Sequence, residues 1–250
     1  MSSLFVLLHG GLHHGSCWNA VAEEIRARGH HVLAPDLPVD DDSAGALAWA
    51  QVVVDAIEGS GANPVSDDVV LVAHSISGLC APVVAALYPV RQMVFVGALL
   101  PVPGQSFAEH LAENPGAITF PEPQAHGTGP FGLTWESVRD GFYHDCPESI
   151  ARQAFHDLRH QSFTVFTERC PLDRWPDVPS AYILMRDDRA VGEAWARRNA
   201  VGRIGARLVE LDGGHSPFFS RPVELSSILL GLGNPDVNGN SCGGNELRLI

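Results

Sequence analysis

Residues 69–87 constrain this chain more than any other stretch. Val69-Val70-Leu71-Val72 reads as a buried strand, and Gly78 to Leu87 reads as a helix closed off before Pro89. Between them stand Ala73-His74-Ser75-Ile76-Ser77. A serine at a tight strand-to-helix turn, with small residues two before and two after, is the nucleophile-elbow arrangement. Small residues are needed because strand and helix pass very close there. The common form is G-x-S-x-G; here the small positions are Ala73 and Ser77.

Three further strand ends carry matching chemistry. Leu4-Phe5-Val6-Leu7-Leu8 runs directly into His9-Gly10-Gly11. A His-Gly turn after the first strand is where a second oxyanion amide is placed in hydrolases of this kind. Tyr182-Ile183-Leu184-Met185 is followed by Arg186-Asp187-Asp188-Arg189, and Leu208-Val209-Glu210-Leu211 by Asp212-Gly213-Gly214-His215. The chain thus offers Ser75, then an aspartate at 187 or 188, then His215. That is the chain order of the α/β-hydrolase triad. Four features at four strand ends are far harder to obtain by accident than any one of them.

Up to about residue 100 strands and helices alternate. Strands are expected at Leu4–Leu8, His31–Ala34, Val69–Ala73 and Met93–Gly97, with helices near Trp18–Arg28, Ala44–Glu58 and Gly78–Leu87. Alternation predicts a parallel sheet covered by helices on both faces, with ligands at the carboxyl ends of the strands. From Pro101 to about Pro179 it stops. This stretch is proline-rich, holds helical patterns near Trp135–Tyr143 and Ser149–His160, and contains seven of the eleven phenylalanines, Phe107 to Phe166. It reads as a cap over 101–179, inserted after the fourth strand of a core formed by 1–100 and 180–233. Alternation resumes with Tyr182–Met185, a helix near Gly192–Ala200, the strand Arg207–Leu211 and a helix near Val223–Leu232. The Asn/Gly/Ser-rich tail, 234–250, is expected to be disordered.

Composition excludes several classes. With 45% hydrophobic residues the chain builds a full core. A net charge of −13 argues against nucleic acid and against an anionic membrane surface. All 16 basic residues are arginine, so lysine-based catalysis is excluded. No run approaches a membrane span, and the start of the chain has no basic segment leading an apolar one, so no signal peptide is expected. Five scattered cysteines (17, 80, 146, 170, 242) show neither C-x-x-C nor zinc spacing, which fits reduced thiols in a cytoplasm. His9, His13 and His14 have no carboxylate at matching spacing, so no metal is expected, and no cofactor. The expected partner is a small-molecule substrate; a homodimer is compatible with the sequence.

The chain resembles the α/β-hydrolases that include plant-type methylesterases and hydroxynitrile lyases, with their bacterial relatives. The resemblance runs from Leu4 to about Leu232. Its anchors are Leu8-His9-Gly10-Gly11 with Trp18, Ala34-Pro35-Asp36-Leu37, His74-Ser75, Phe142-Tyr143-His144-Asp145-Cys146, Asp188, and Gly213-Gly214-His215. It implies a mostly parallel six-stranded sheet, Ser75 as nucleophile, His215 as general base, and the amides of Ile76 and Gly11 as oxyanion hole. It favours Asp188 over Asp187 as the acid. The alternative acid position, after the preceding strand, reads Leu99-Leu100-Pro101-Val102 and has no carboxylate. Lyases of the family carry a threonine where this chain has Gly10 and a lysine where it has Ser216, so hydrolysis is favoured over cyanohydrin cleavage. Gly10, Trp135, Phe142 and Phe218 are the expected substrate-contacting residues, and His9 is expected to brace the oxyanion loop.

A serine hydroxyl is a weak nucleophile until a base takes its proton and a carboxylate orients that base. The expected activity is therefore that of a carboxylesterase cleaving a small, largely apolar ester through an acyl-enzyme on Ser75. The alternatives are a lyase or other carbon–carbon bond enzyme on the same scaffold, and a silent binding protein.

Overall fold

The computed structural model describes residues 2–61, 68–120 and 132–233; the tail from Asn234 lies outside them. Six strands form one sheet: β1 (Ser3–Leu8), β2 (His31–Leu33), β3 (Asp68–His74), β4 (Gln92–Val96), β5 (Ser180–Met185) and β6 (Arg207–Leu211). Their order is β2-β1-β3-β4-β5-β6, and every neighbouring pair is parallel. The mostly parallel sheet of the sequence reading is thus all-parallel. Each connection is long enough to return the chain to the same end of the sheet before the next strand begins.

Successive strand residues point to opposite faces. Leu4, Val6 and Leu8 of β1, with Val69, Leu71 and Ala73 of β3, enter one core. Phe5, Leu7, Val70 and Val72 enter the other. Two apolar faces explain why these strands lack polar alternation. The first face is covered by α2 (Ala46–Gly59), α3 (Ala81–Leu87) and α8 (Glu193–Arg197), through Trp49, Val53, Val84 and Trp195. The second is covered by α1 (Asn19–Ala27) and α10 (Pro222–Leu232), through Val21, Ile25, Leu225 and Leu229.

Register decides which loops meet. Leu8 pairs with Ala73, His74 with Val96, Val96 with Ile183, and Met185 with Leu211. The segments leaving these strands are His9–Gly11, Ser75–Ile76, Gly97, Arg186–Asp188 and Asp212–His215. All of them open at the carboxyl edge of the sheet, where such folds bind ligands.

Some elements differ from expectation. Ser75–Leu79 is a 3-10 turn, and α3 begins only at Ala81. Pro82 suits a first helical turn but not a helix interior, since it lacks an N–H. The helix expected over Gly192–Ala200 passes from α8 into a π-helix, Arg198–Arg203, where Arg203 donates to the carbonyls of Leu100 and Pro101. Between β4 and β5 lie α4 (Phe107–Glu113), α5 (Trp135–Phe142), α6 (Glu148–His156) and α7 (Thr164–Thr167). Of these, α5 and α6 correspond to the expected helical patterns; α4 and α7 have no counterpart among them. A short helix, α9 (Pro217–Ser220), precedes α10. The α5–α6 pair has a small core of its own: Leu12, Leu133, Val138, Tyr143, Ala151 and Ala154.

Candidate active site

Ser75 sits at φ +54°, in the left-handed region that side chains other than glycine rarely enter. Such a conformation costs on the order of 1 kcal/mol and persists only where its surroundings fix it. The surroundings are explicit. Leu99 N donates to Ser75 O at 2.9 Å, and Ser77 Oγ donates to His74 O at 2.8 Å. Gly78 is the tightest position: a Cβ there would lie 2.2 Å from the Leu99 carbonyl oxygen. The turn therefore needs a third small residue beyond the motif, immediately after Ser77.

From this turn Ser75 Oγ lies 3.1 Å from His215 Nε2. His215 Nδ1 lies 2.9 Å from Asp188 Oδ2 and 3.0 Å from Oδ1. The imidazole and carboxylate side chains are only 2% and 6% exposed. Asp188 Oδ1 also accepts from the amides of Ala190 (2.8 Å) and Val191 (3.0 Å), which fix the carboxylate's orientation. Asp187 is exposed and turns away; its amide donates to Gly213 O. Behind the pair, Gly97 has φ +48°, and a Cβ there would lie 2.9 Å from Asp188 Oδ2 and 2.4 Å from Met185 Cε. Only glycine allows the end of β4 to pass this close to the Asp188 carboxylate.

The loop after β1 is held by histidines and by a distant glutamine. His9 Nε2 accepts from Leu37 N at 2.9 Å, so its proton sits on Nδ1, which donates to Gly10 O at 2.8 Å. His13 donates from Nδ1 to Gly11 O at 2.7 Å and accepts the Tyr143 hydroxyl proton at Nε2, also 2.7 Å. Burial pushes both imidazoles down to about 4, so they are neutral at pH 7. Leu12, at φ +67°, is gripped from both sides: its amide donates to Gln161 Oε1 and its carbonyl accepts from Arg159 N. His74 donates from Nε2 to the backbone carbonyl of His215 at 2.8 Å. Its ring is fully buried beside that of His215, which drives its protonation well below the ordinary range.

Ser75 and His215 open on a cavity of about 370 Å³. Its walls are apolar: Ile76, Leu99, Leu111, Ile118, Phe120, Leu133, Phe142, Phe163, Phe166, Ala190 and Val191. Gly11, Leu12, His13, His74 and Gln161 complete it, and no charged side chain is among the described lining residues.

This geometry has relatives. Residues 5–228 match the alpha/beta hydrolase family. The chain belongs to that family. The hydrolase is 27% identical to methylesterase 7 of Arabidopsis thaliana, over 90% of this chain and 94% of the relative. It is 28% identical to the pyrethroid hydrolase of Sphingobium wenxiniae, over 90% and 85%. The crystal structure of polyneuridine aldehyde esterase superposes with a TM-score of 0.76 at 21% identity, covering 94% of the hydrolase and all of that chain.

The fold brings Ser75, Asp188, His215, Gly11 and Ile76 together. Phe142 lines the cavity and stacks on His215 at 5.5 Å between ring centroids. Three expected substrate contacts are placed elsewhere. Trp135 meets Phe155 and carries Arg152 over its ring at 4.5 Å, on the far side of the α5–α6 core. It shares a helix with Phe142, but seven residues of rise put it about 10 Å further along the axis. Phe218 is fully buried behind the site, 5.0 Å from Trp18 and 4.9 Å from His74 between centroids, because α9 turns it beneath the histidine. Gly10 lies against His74 and does not line the cavity; a Cβ there would come 2.6 Å from His74 Nδ1. Gln161, Leu111 and Ile118 line the cavity without any sequence signal, since only the tertiary fold brings them to Ser75.

Proposed function

We propose that this hydrolase is a serine carboxylesterase acting on a small, largely apolar ester. The reading rests on one arrangement: a Ser75–His215–Asp188 hydrogen-bond chain at the floor of an uncharged cavity. Ser75 Oγ attacks the ester carbonyl while His215 Nε2 takes its proton. The oxyanion is met by the amides of Gly11 and Ile76; losing one such donor typically raises a barrier by roughly 2.7–4 kcal/mol. His215 returns the proton to the departing alkoxide, leaving an acyl-enzyme. Water attacks that carbonyl, its proton passes to His215, and the acid leaves as Ser75 recovers its hydrogen. Asp188 holds the imidazole in the required tautomer and balances its transient charge. The segment 101–179 acts as the cap that supplies the apolar walls. Free thiols among the described residues and the acidic surface are consistent with a cytoplasmic enzyme that binds no nucleic acid.

Lyase chemistry is disfavoured by specific residues. A leaving cyanide calls for a nearby cation, yet Ser216 is neutral and the chain has no lysine. Gly10 offers no hydroxyl to a substrate alcohol. The test is a panel of p-nitrophenyl esters beside mandelonitrile, with the wild type and Ser75→Ala. Ester turnover by the wild type and its loss in the variant are expected. Efficient cyanide release with negligible ester turnover would overturn the reading.

A further inference from the structure

Phe142-Tyr143-His144-Asp145-Cys146 marks the resemblance to the family, yet the chemistry above uses only its first residue. We propose that Tyr143, His144 and Asp145 form a positioning clamp. Three consecutive side chains at the end of α5 would hold the oxyanion loop, the acid loop and the base loop in mutual register. The proposal rests on the triad reading given above.

Each residue takes a different loop. The Tyr143 hydroxyl donates to His13 Nε2 at 2.7 Å, and the other His13 nitrogen holds Gly11 O at 2.7 Å. His144 Nε2 donates to the carbonyl of Asp187 at 2.9 Å, one residue before the acid. Asp145 Oδ2 accepts from the amide of Gly214 at 2.9 Å, one residue before the base. These loops leave three different strands, β1, β5 and β6. Direct contact between the last two is carried by the His215–Asp188 pair, by Asp187 N donating to Gly213 O and Arg186 N to Leu211 O, both at 3.0 Å, and by the exposed Arg186–Asp212 ion pair at 2.8 Å. The clamp is seated closely. A Cβ on Gly214 would lie 2.6 Å from His144 Nε2 and 2.8 Å from Asp145 Oδ1; one on Gly213 would lie 2.6 Å from Asp145 Oδ2. The paired glycines before His215 are thus the space that the clamp occupies.

The consequence concerns rate more than binding. None of the three clamp residues lines the cavity, so none touches substrate there. A displacement of about 1 Å between catalytic groups lowers a rate by about 100-fold. Asp145→Ala and His144→Ala should therefore lower kcat about tenfold or more, with KM changed far less. Asp145→Asn keeps an acceptor for Gly214, and His144→Gln keeps an N–H donor for Asp187. Both should recover most of the wild-type kcat.

The experiment measures kcat and KM for a p-nitrophenyl ester, Ser75 labelling by a fluorophosphonate, melting temperature, and the low-field proton resonance of the His215–Asp188 hydrogen bond. Expected are loss of kcat and a shifted or broadened resonance in D145A and H144A, with recovery in D145N and H144Q. Wild-type kcat and an unmoved resonance in both alanine variants would overturn the clamp. So would D145N as damaged as D145A, which would assign the effect to charge. A lowered melting temperature with unchanged kcat would overturn it too, leaving the motif a structural one. The resonance needs no turnover: a wild type that neither labels nor hydrolyses sinks the esterase reading while leaving the clamp decidable.

Discussion

At the scale of single residues, Asp187 and Asp188 differ in nothing a composition table records, yet the fold gives them opposite tasks. Asp188 spends its side chain on His215 and two backbone amides, whereas Asp187 contributes its backbone N–H and carbonyl. Asp188→Asn should therefore lower kcat/KM by about 10⁴, because an amide no longer enforces the productive imidazole tautomer. Asp187→Asn leaves every contact named here intact and should stay within a few-fold of wild type. Steady-state rates at one pH decide it; the reverse ranking would refute the assignment. Gly97→Ala probes the same carboxylate from behind. Its methyl has no room beside Asp188 and its φ of +48° disfavours a side chain, so kcat should drop about tenfold or more, checked on protein shown to be folded. Ser75, His215 and an aspartate at 187 or 188 were legible because each lies at or just beyond the end of an apolar strand, whereas the choice of Asp188 came from the resemblance alone. Trp135 and Phe218 misled for the complementary reason: an aromatic residue near a site in sequence announces burial, not which surface buries it.

Elements were readable where their apolar pattern was long. The strands read as unbroken apolar runs, the longer sheet-covering helices α1, α2 and α10 carry their period through two turns or more, and the bounds of these elements agree with expectation to within a few residues. Helix α4 is short, with only Phe107 and His110 buried, so no period builds up. Its signal is local: Ser106 accepts from Glu109 N at 3.1 Å, and Glu109 reaches back to Ser106 N at 2.9 Å, a complete capping box. Ser106→Ala should destabilise the protein by about 1 kcal/mol, the usual loss for an N-cap serine. Chemical denaturation reads this as a lower midpoint at unchanged slope. Rates measured well below the melting temperature should not move, because α4 meets the cavity only through Leu111. Helix α5 has a capping box of its own at Thr134 and Ser137 and bears the proposed clamp at its far end. Fraying α5 should accordingly reach the triad, as fraying α4 should not.

For the molecule as a whole, the parallel sheet packs its carboxyl edge with histidines and then denies them protons. His9 and His13 are pushed down to about 4 by burial, and His74 is pushed well below its ordinary value. Above pH 6.5 these rings are neutral whether the chain is folded or not, and they add no pH dependence. Below 6.5 the unfolded chain binds protons that the native state refuses. Stability must therefore fall as pH falls from about 6.5 towards about 4, by up to about 1.4 kcal/mol per pH unit for each histidine. Carboxylates held low by partners, such as Glu109 and Glu210, lose their contribution only as pH falls below their own ordinary range of about 4.3. The upper part of the window thus belongs to the histidines. Urea midpoints at pH 7, 6 and 5 should decline, with these three rings contributing a slope approaching three protons per molecule and His30 and His110, also held below their ordinary value by burial, adding to it. His13→Gln should shallow that slope by about one proton, whatever it does to absolute stability. A flat profile between pH 6.5 and 5 would mean that the rings are charged in the native state. The Leu37 N–H donating to His9 Nε2 opposes this for His9, and burial opposes it for His13 and His74. Protonating His13 would reverse the Tyr143 contact, with Nε2–H donating to the hydroxyl oxygen, and would put a charge into an apolar interior, so acid should loosen the loop after β1 before it unfolds the sheet.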